Sequence, residues 1–135
     1  MLKSSKATAL ASALCVATVA GICTANAQQP AIKRTDLATA NQSATDVGSM
    51  WIAEIAPGGS TGRHTHPTPR FVYVVEGSVV LEMDGKSPQT FKAGEGFAEP
   101  PGEVHNFRNA SSSAPAKALG FQVVPKGTPL QTNVP

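Results

Sequence analysis

The chain has 135 residues, with 11 basic and 9 acidic side chains, three histidines and two cysteines. Charge this close to balance gives no case for a nucleic-acid or anionic-membrane binder, and two cysteines are too few for a disulfide-stapled scaffold. A domain of roughly 100 residues is long enough to bury one core without such staples.

The first 27 residues read as a leader. Lys3 and Lys6 give a positive start, Ala7 to Cys23 is small and apolar without charge, and Ala25-Asn26-Ala27 offers a small-x-small cleavage site. The run is short for a membrane span and rich in Ala and Thr, so a stable anchor is not expected. Leu14 and Ile22 precede Cys15 and Cys23 where a lipoprotein signal would want a small residue. Cleavage after Ala27 would remove both cysteines and bring basic and acidic residues into balance. The expected location is therefore periplasmic or secreted.

The expected organisation is leader 1–27, N-terminal arm 28–47, barrel 48–124 and tail 125–135. Within the arm one short strand is expected around Ile32–Leu37. Met50–Ala56 is a strand candidate closed by Pro57-Gly58-Gly59, and Phe71–Val75 is strongly β-prone, ending at Glu76-Gly77. Ser78–Met83 follows, with Asp84-Gly85 suited to a tight hairpin turn. Thr90–Lys92, Gly96–Glu99, Val104–Arg108 and Ala118–Val124 complete the series. Strands at a spacing of about ten residues, with turn signals between them and no helical pattern, predict an all-β sandwich or barrel. Pro125–Pro135 is read as a tail or a covering strap. Asn41-Gln42-Ser43 and Asn109-Ala110-Ser111 fit the N-glycosylation acceptor pattern, which is common by chance. Asn109 is expected to satisfy loop backbone groups instead.

His64, His66 and His105 are the three histidines. An H-x-H pair on a strand sends both imidazoles to one face. Two adjacent imidazoles fill an apolar core poorly but hold a transition metal well. A third from a distant strand would complete a three-ligand face.

Two motifs resemble those of the cupin family. The first family motif is written G-x5-H-x-H-x3-E-x6-G, and Gly58, His64, His66 and Gly77 fill it, with Arg70 in place of Glu. The second is written G-x5-P-x-G-x2-H-x3-N, and Gly94, Pro100, Gly102, His105 and Asn109 fill it completely. The resemblance implies a double-stranded β-helix (jelly-roll) barrel. It also implies one divalent metal, Fe, Mn, Ni, Cu or Zn, held by His64, His66 and His105. Gly77 and Gly94 would serve tight turns, and Pro101 and Gly102 the bend that brings His105 inward.

Arg70 departs from the family, because a guanidinium cannot coordinate a cation. It either faces the cavity and attracts an anionic substrate, or is tied to a carboxylate such as Glu99 or Glu54. Glu99 either supplies the missing carboxylate, as ligand or general base, or is a rim residue paired with Arg, and the rim reading is slightly favoured. Arg70 and Glu99 are thus the candidate catalytic residues. Trp51 and Tyr73 are read as packing residues.

The resemblance implies a quercetin-dioxygenase-like oxidoreductase for a small anionic enol or carboxylate compound. The alternatives are a non-catalytic periplasmic binding or sensing protein and a metal-dependent isomerase or lyase. Homodimerisation is left open. Intact-mass measurement on exported protein tests the leader: the expected mature N-terminus is Gln28, and retention of Cys15 and Cys23 would refute it.

Overall fold

The computed structural model describes residues 31–135; the expected leader lies outside them. Ten strands and no helix form among the described residues. They are β1 (Ile32–Asn41), β2 (Asp46–Ile55), β3 (His64–Thr65), β4 (Arg70–Glu76), β5 (Ser78–Met83), β6 (Gln89–Lys92), β7 (Gly96–Glu99), β8 (His105–Asn109), β9 (Ala116–Pro125) and β10 (Thr132–Asn133). Two five-stranded antiparallel sheets result, in the orders β1-β2-β9-β4-β7 and β10-β3-β8-β5-β6. This is the jelly-roll arrangement of two sheets around one interior.

Alternation along β4 shows why the sheets close over that interior. Arg70, Val72 and Val74 are buried, while Phe71, Tyr73 and Val75 face outward. On β9 the inward set is Ala116, Ala118, Gly120, Gln122 and Val124; on β8 it is His105, Phe107 and Asn109. The interior divides along these strands. One half is an apolar cluster of Ile55, Val72, Val74, Val79, Phe107, Ala116 and Ala118. The other half begins where Arg70, His105 and Gln122 take over the inward positions. Each fully buried aliphatic side chain contributes roughly 1.5–3 kcal/mol, so the apolar half holds the barrel while the polar half is free for chemistry.

Several boundaries differ from the sequence reading. The arm is mostly strand: β1 runs for ten residues against β2, with a bulge between Asp36 and Ala38. It lies at the sheet edge and is exposed along most of its length, so its sequence carries no alternation to read. The C-terminal segment is a strap whose strand β10 pairs with β3. Asp84-Gly85 does form a turn, closed by Lys86 N–H donating to the Met83 carbonyl, but pairing resumes only at Gln89, so the connection is longer than a two-residue hairpin. Gly77 alone joins β4 to β5 at φ 75°, with the Ala116 side chain and Pro115 carbonyl against the place a Cβ would occupy. Asn109 is buried and donates through Nδ2 to the carbonyls of Ile55, Ala56 and Ala114, as loop-satisfying residue rather than sugar acceptor.

Gly120 is the seat of Trp51. The two are register partners on β9 and β2, and a Cβ at Gly120 would overlap the indole. Gly120→Ala should therefore destabilise the fold by about 1–3 kcal/mol, because the indole must be displaced from a packed interior. Urea denaturation reads this, and an unchanged midpoint would show that Trp51 is not seated as described.

Candidate metal centre

Each histidine arrives by a different device. His64 on β3 pairs with His105 on β8 in register, which places two imidazoles side by side. On its other edge β3 is held by β10, through Asn133↔His64, and by Val134 N–H donating to the Arg63 carbonyl at 2.9 Å. His66 lies just past β3. Its carbonyl accepts from the N–H of Gly102 at 2.9 Å, and Gly102 holds φ 72°. That bond ties the loop bearing His66 to the turn that leads into His105.

All three rings are oriented alike. Nδ1 of His64, His66 and His105 faces the carbonyls of Gly62, Thr68 and Glu103, at 3.0, 3.3 and 2.9 Å. A carbonyl only accepts, so each Nδ1 carries the proton and each Nε2 presents a lone pair. The Nε2 atoms meet: His66 to His105 is 3.1 Å, and His64 Nε2 is buried with no hydrogen-bond partner. Glu99 adds a carboxylate oxygen 3.0 Å from His66 Nε2 and 3.6 Å from His105 Nε2. One potential ligand atom from each of these four buried residues lies within 4.8 Å of the others.

Such a set of acceptors needs a cation between them. Without one, a proton must serve. Burial disfavours the imidazolium of His105, but the hydrogen bond and charge of Glu99, with the Glu103 carbonyl, outweigh it and raise its pKa. Burial pushes His64 down, and the Gly62 carbonyl only partly offsets it. Burial would raise the Glu99 carboxyl, yet the hydrogen bonds to His105 and His66 and the Arg70 charge bring it down to about 2. An ionised carboxylate and neutral Nε2 atoms are the states a metal ion requires. Backbone-fixed tautomers are the support such ligands need. The donor set therefore fits a divalent transition metal.

The inner face of the first sheet shows how Arg70 and Glu99 relate. On β4, Arg70 is the register partner of Glu99 on β7 and of Gln122 on β9. Arg70 Nε donates to Gln122 Oε1 at 3.2 Å, Nη2 to the Leu130 carbonyl at 3.0 Å, and Nη1 lies 3.8 Å from Glu99. The carboxylate missing at position 70 thus stands one strand away, with Arg70 as its counter-charge and as an anchor for the C-terminal strap. Glu99 is 1% exposed, which corrects the favoured reading of it as a rim residue: β7 turns it inward. The expected acidic partner of Arg70 is Glu99 and not Glu54, which pairs with Lys33 on the surface. Arg70 and Glu99 also line a cavity of about 420 Å³ walled by Trp51, Val72, Phe107 and Ala118. The sequence reading missed Gln122, although a Gln at an inward position of β9 breaks an otherwise apolar or small series. It also missed Gln131 and Arg34, which line the same cavity.

A family profile described as the cupin domain matches residues 51–121. The chain is 40% identical over 65 residues to a protein named polyketide synthase CurC from Streptomyces cyaneus, a stretch covering 46% of this chain and 40% of that one. The chain therefore spans less than half the length of this curated relative. Among solved structures, a cupin-like protein from Thermotoga maritima superposes with a TM-score of 0.60 at 20% identity, covering 72% of this chain and 77% of that one. The DMSP lyase DddQ from Ruegeria pomeroyi gives 0.56 at 20% identity, covering 64% and 43%. At these identities the structures share the fold.

Metal titration beside denaturation tests the centre. His66→Ala should weaken metal binding by roughly 10-fold or more while the barrel stays folded. Arg70→Glu should lower the stability of the metal-free protein by about 3 kcal/mol or more, since Glu99 loses its counter-charge and gains a like charge, without tightening metal binding. Unchanged metal affinity in His66→Ala, or tighter binding at unchanged stability in Arg70→Glu, would contradict this geometry.

Proposed function

The chain belongs to the cupin-domain family, and from that premise we propose that it is a metal-dependent oxidoreductase of the dioxygenase type. Its substrate would be a small enol- or carboxylate-bearing compound. The observation that carries the reading is the buried cluster of His64, His66, His105 and Glu99, whose member Glu99 also lines a cavity large enough for a small organic molecule. A bound transition metal supplies positive charge that acidifies an enol and, where the ion is redox-active, electrons for reaction with dioxygen. Four ligands on one ion leave coordination positions open in an octahedral set.

The remaining roles belong to the chain's own residues. The three imidazoles hold their Nδ1 protons on backbone carbonyls and so keep Nε2 free. Glu99 stands among the same Nε2 atoms with Arg70 as its counter-charge, which favours ligand over general base. It offsets one positive charge of the ion, so the site asks for a less strongly anionic partner than three histidines alone would. Arg70 positions Glu99 and keeps it ionised. Trp51, Val72 and Phe107 offer the cavity an apolar wall.

An oxygen electrode tests the reading with the protein loaded in turn with Fe(II), Mn, Ni, Cu and Zn. The probes are 2,4-pentanedione, a β-diketone, and quercetin, a flavonol. Oxygen uptake that requires a redox-active metal and falls at least about 100-fold in His66→Ala is the expected result. Substrate conversion without oxygen uptake would replace the reading by an isomerase or lyase. Tight binding without turnover would replace it by a binding or sensing protein.

A further inference from the structure

Two guanidinium groups share one indole at the cavity. Arg34 Cζ lies 4.0 Å from the centroid of the Trp51 ring and Arg70 Cζ lies 5.3 Å from it, and both side chains line the cavity that Glu99 closes. They are not equivalent. Arg70 is buried, and each of its three nitrogens has a scaffold partner in Gln122, Leu130 or Glu99. Arg34, on the edge strand β1, has a side chain 35% exposed. Its Nε donates to Asp36 at 2.7 Å, and its Nη1 and Nη2 have no partner among the described residues. The cavity therefore has a buried end at Glu99 and a more exposed end at Arg34, whose Nη1 and Nη2 remain unpaired among the described residues. The two guanidinium charges are balanced by Glu99 in the lining and by Asp36 beside Arg34, so a bound dication would leave the cavity with an excess of positive charge.

We infer that Arg34 is the recognition residue for the carboxylate of a small organic anion. The apolar body of that ligand lies along Trp51, Val72 and Phe107, and its other end points to Glu99, the member of the metal-ligand cluster that lines the cavity. A guanidinium fork matches a carboxylate in a bidentate pair, and the stacked indole holds the fork flat for it. With the dication bound, the excess positive charge selects anions over neutral molecules of the same shape. β1 thereby contributes to specificity from outside the residues that carry the family motifs. The inference rests on the reading that this cavity is the substrate site.

The test is calorimetric, on the purified protein loaded with redox-silent Zn2+ and again after the metal is stripped. The probes are 4-hydroxybenzoate and its neutral counterpart methyl 4-hydroxybenzoate. The wild type should bind the carboxylate roughly tenfold tighter than the ester, the scale of a hydrogen-bonded charge pair. Arg34→Gln should remove that preference and leave ester binding and zinc content unchanged, while Arg34→Lys retains part of it. Thermal melting confirms that both variants are folded, and Arg34→Lys serves if Arg34→Gln is not. Absence of any preference in the wild type, failure of both probes to bind, or full preference in Arg34→Gln would overturn the inference. A preference that survives Arg34→Gln but vanishes with the metal would place the carboxylate on the ion instead. An Arg34-dependent preference without oxygen uptake in any assay would sink the dioxygenase reading and spare this one.

Discussion

Everything in the polar half of this barrel depends on four electron-pair acceptors held together with no donor between them. Three backbone carbonyls claim the Nδ1 protons of His64, His66 and His105, so the Nε2 lone pairs have nowhere to point but at one another and at Glu99. In water such groups would find solvent; here they are buried, and an unsatisfied buried acceptor costs roughly 1–3 kcal/mol. The barrel can hold them because the apolar half, from Ile55 to Ala118, supplies the stability that the polar half does not. A cation at the focus turns four costs into one binding site.

The carboxylate in that set shows how a sheet tolerates the loss of a ligand position. Arg70 and Glu99 are direct partners across β4 and β7, so their side chains leave the sheet on the same face and at the same height. With the carboxylate on β7, the residue on β4 faces it at contact distance, and a cation there is the favourable choice. Arg70 then gains a second task, since its Nη2 fastens the strap at Leu130, and that strap runs on into β10 beside His64. One side chain links the metal ligand on the first sheet to the strand that holds His64 on the second.

The legible part of this architecture was the part with period two. Phe71–Val75, Ser78–Met83 and Val104–Arg108 announce themselves by β-branched and aromatic residues between turn signals, and the structure places strands there. The H-x-H pair and His105 were legible because few other environments suit adjacent imidazoles. The length of β1 was not, because an exposed edge strand such as Ile32–Asn41 needs no alternation to pair. The inward direction of Glu99 was not either. It depends on the pairing of β7 with β4, a contact between residues 29 positions apart in the chain, and a polar residue at a strand end reads equally as rim or interior. Pro125–Pro135 was legible as a tail or a strap, but its strand was not: Thr132–Asn133 is too short to show a pattern, and its pairing with β3 is set by where Arg70 and Arg63 hold the chain.

The claim that Glu99 replaces position 70 as the carboxylate of the centre is most directly tested by a crystal structure of the metal-loaded protein with anomalous scattering at the absorption edge of the bound ion. The account predicts one anomalous peak, bonded to Nε2 of His64, His66 and His105 and to a carboxylate oxygen of Glu99 at about 2.0–2.3 Å. A peak held by the histidines alone, with Glu99 turned wholly to Arg70, would contradict it.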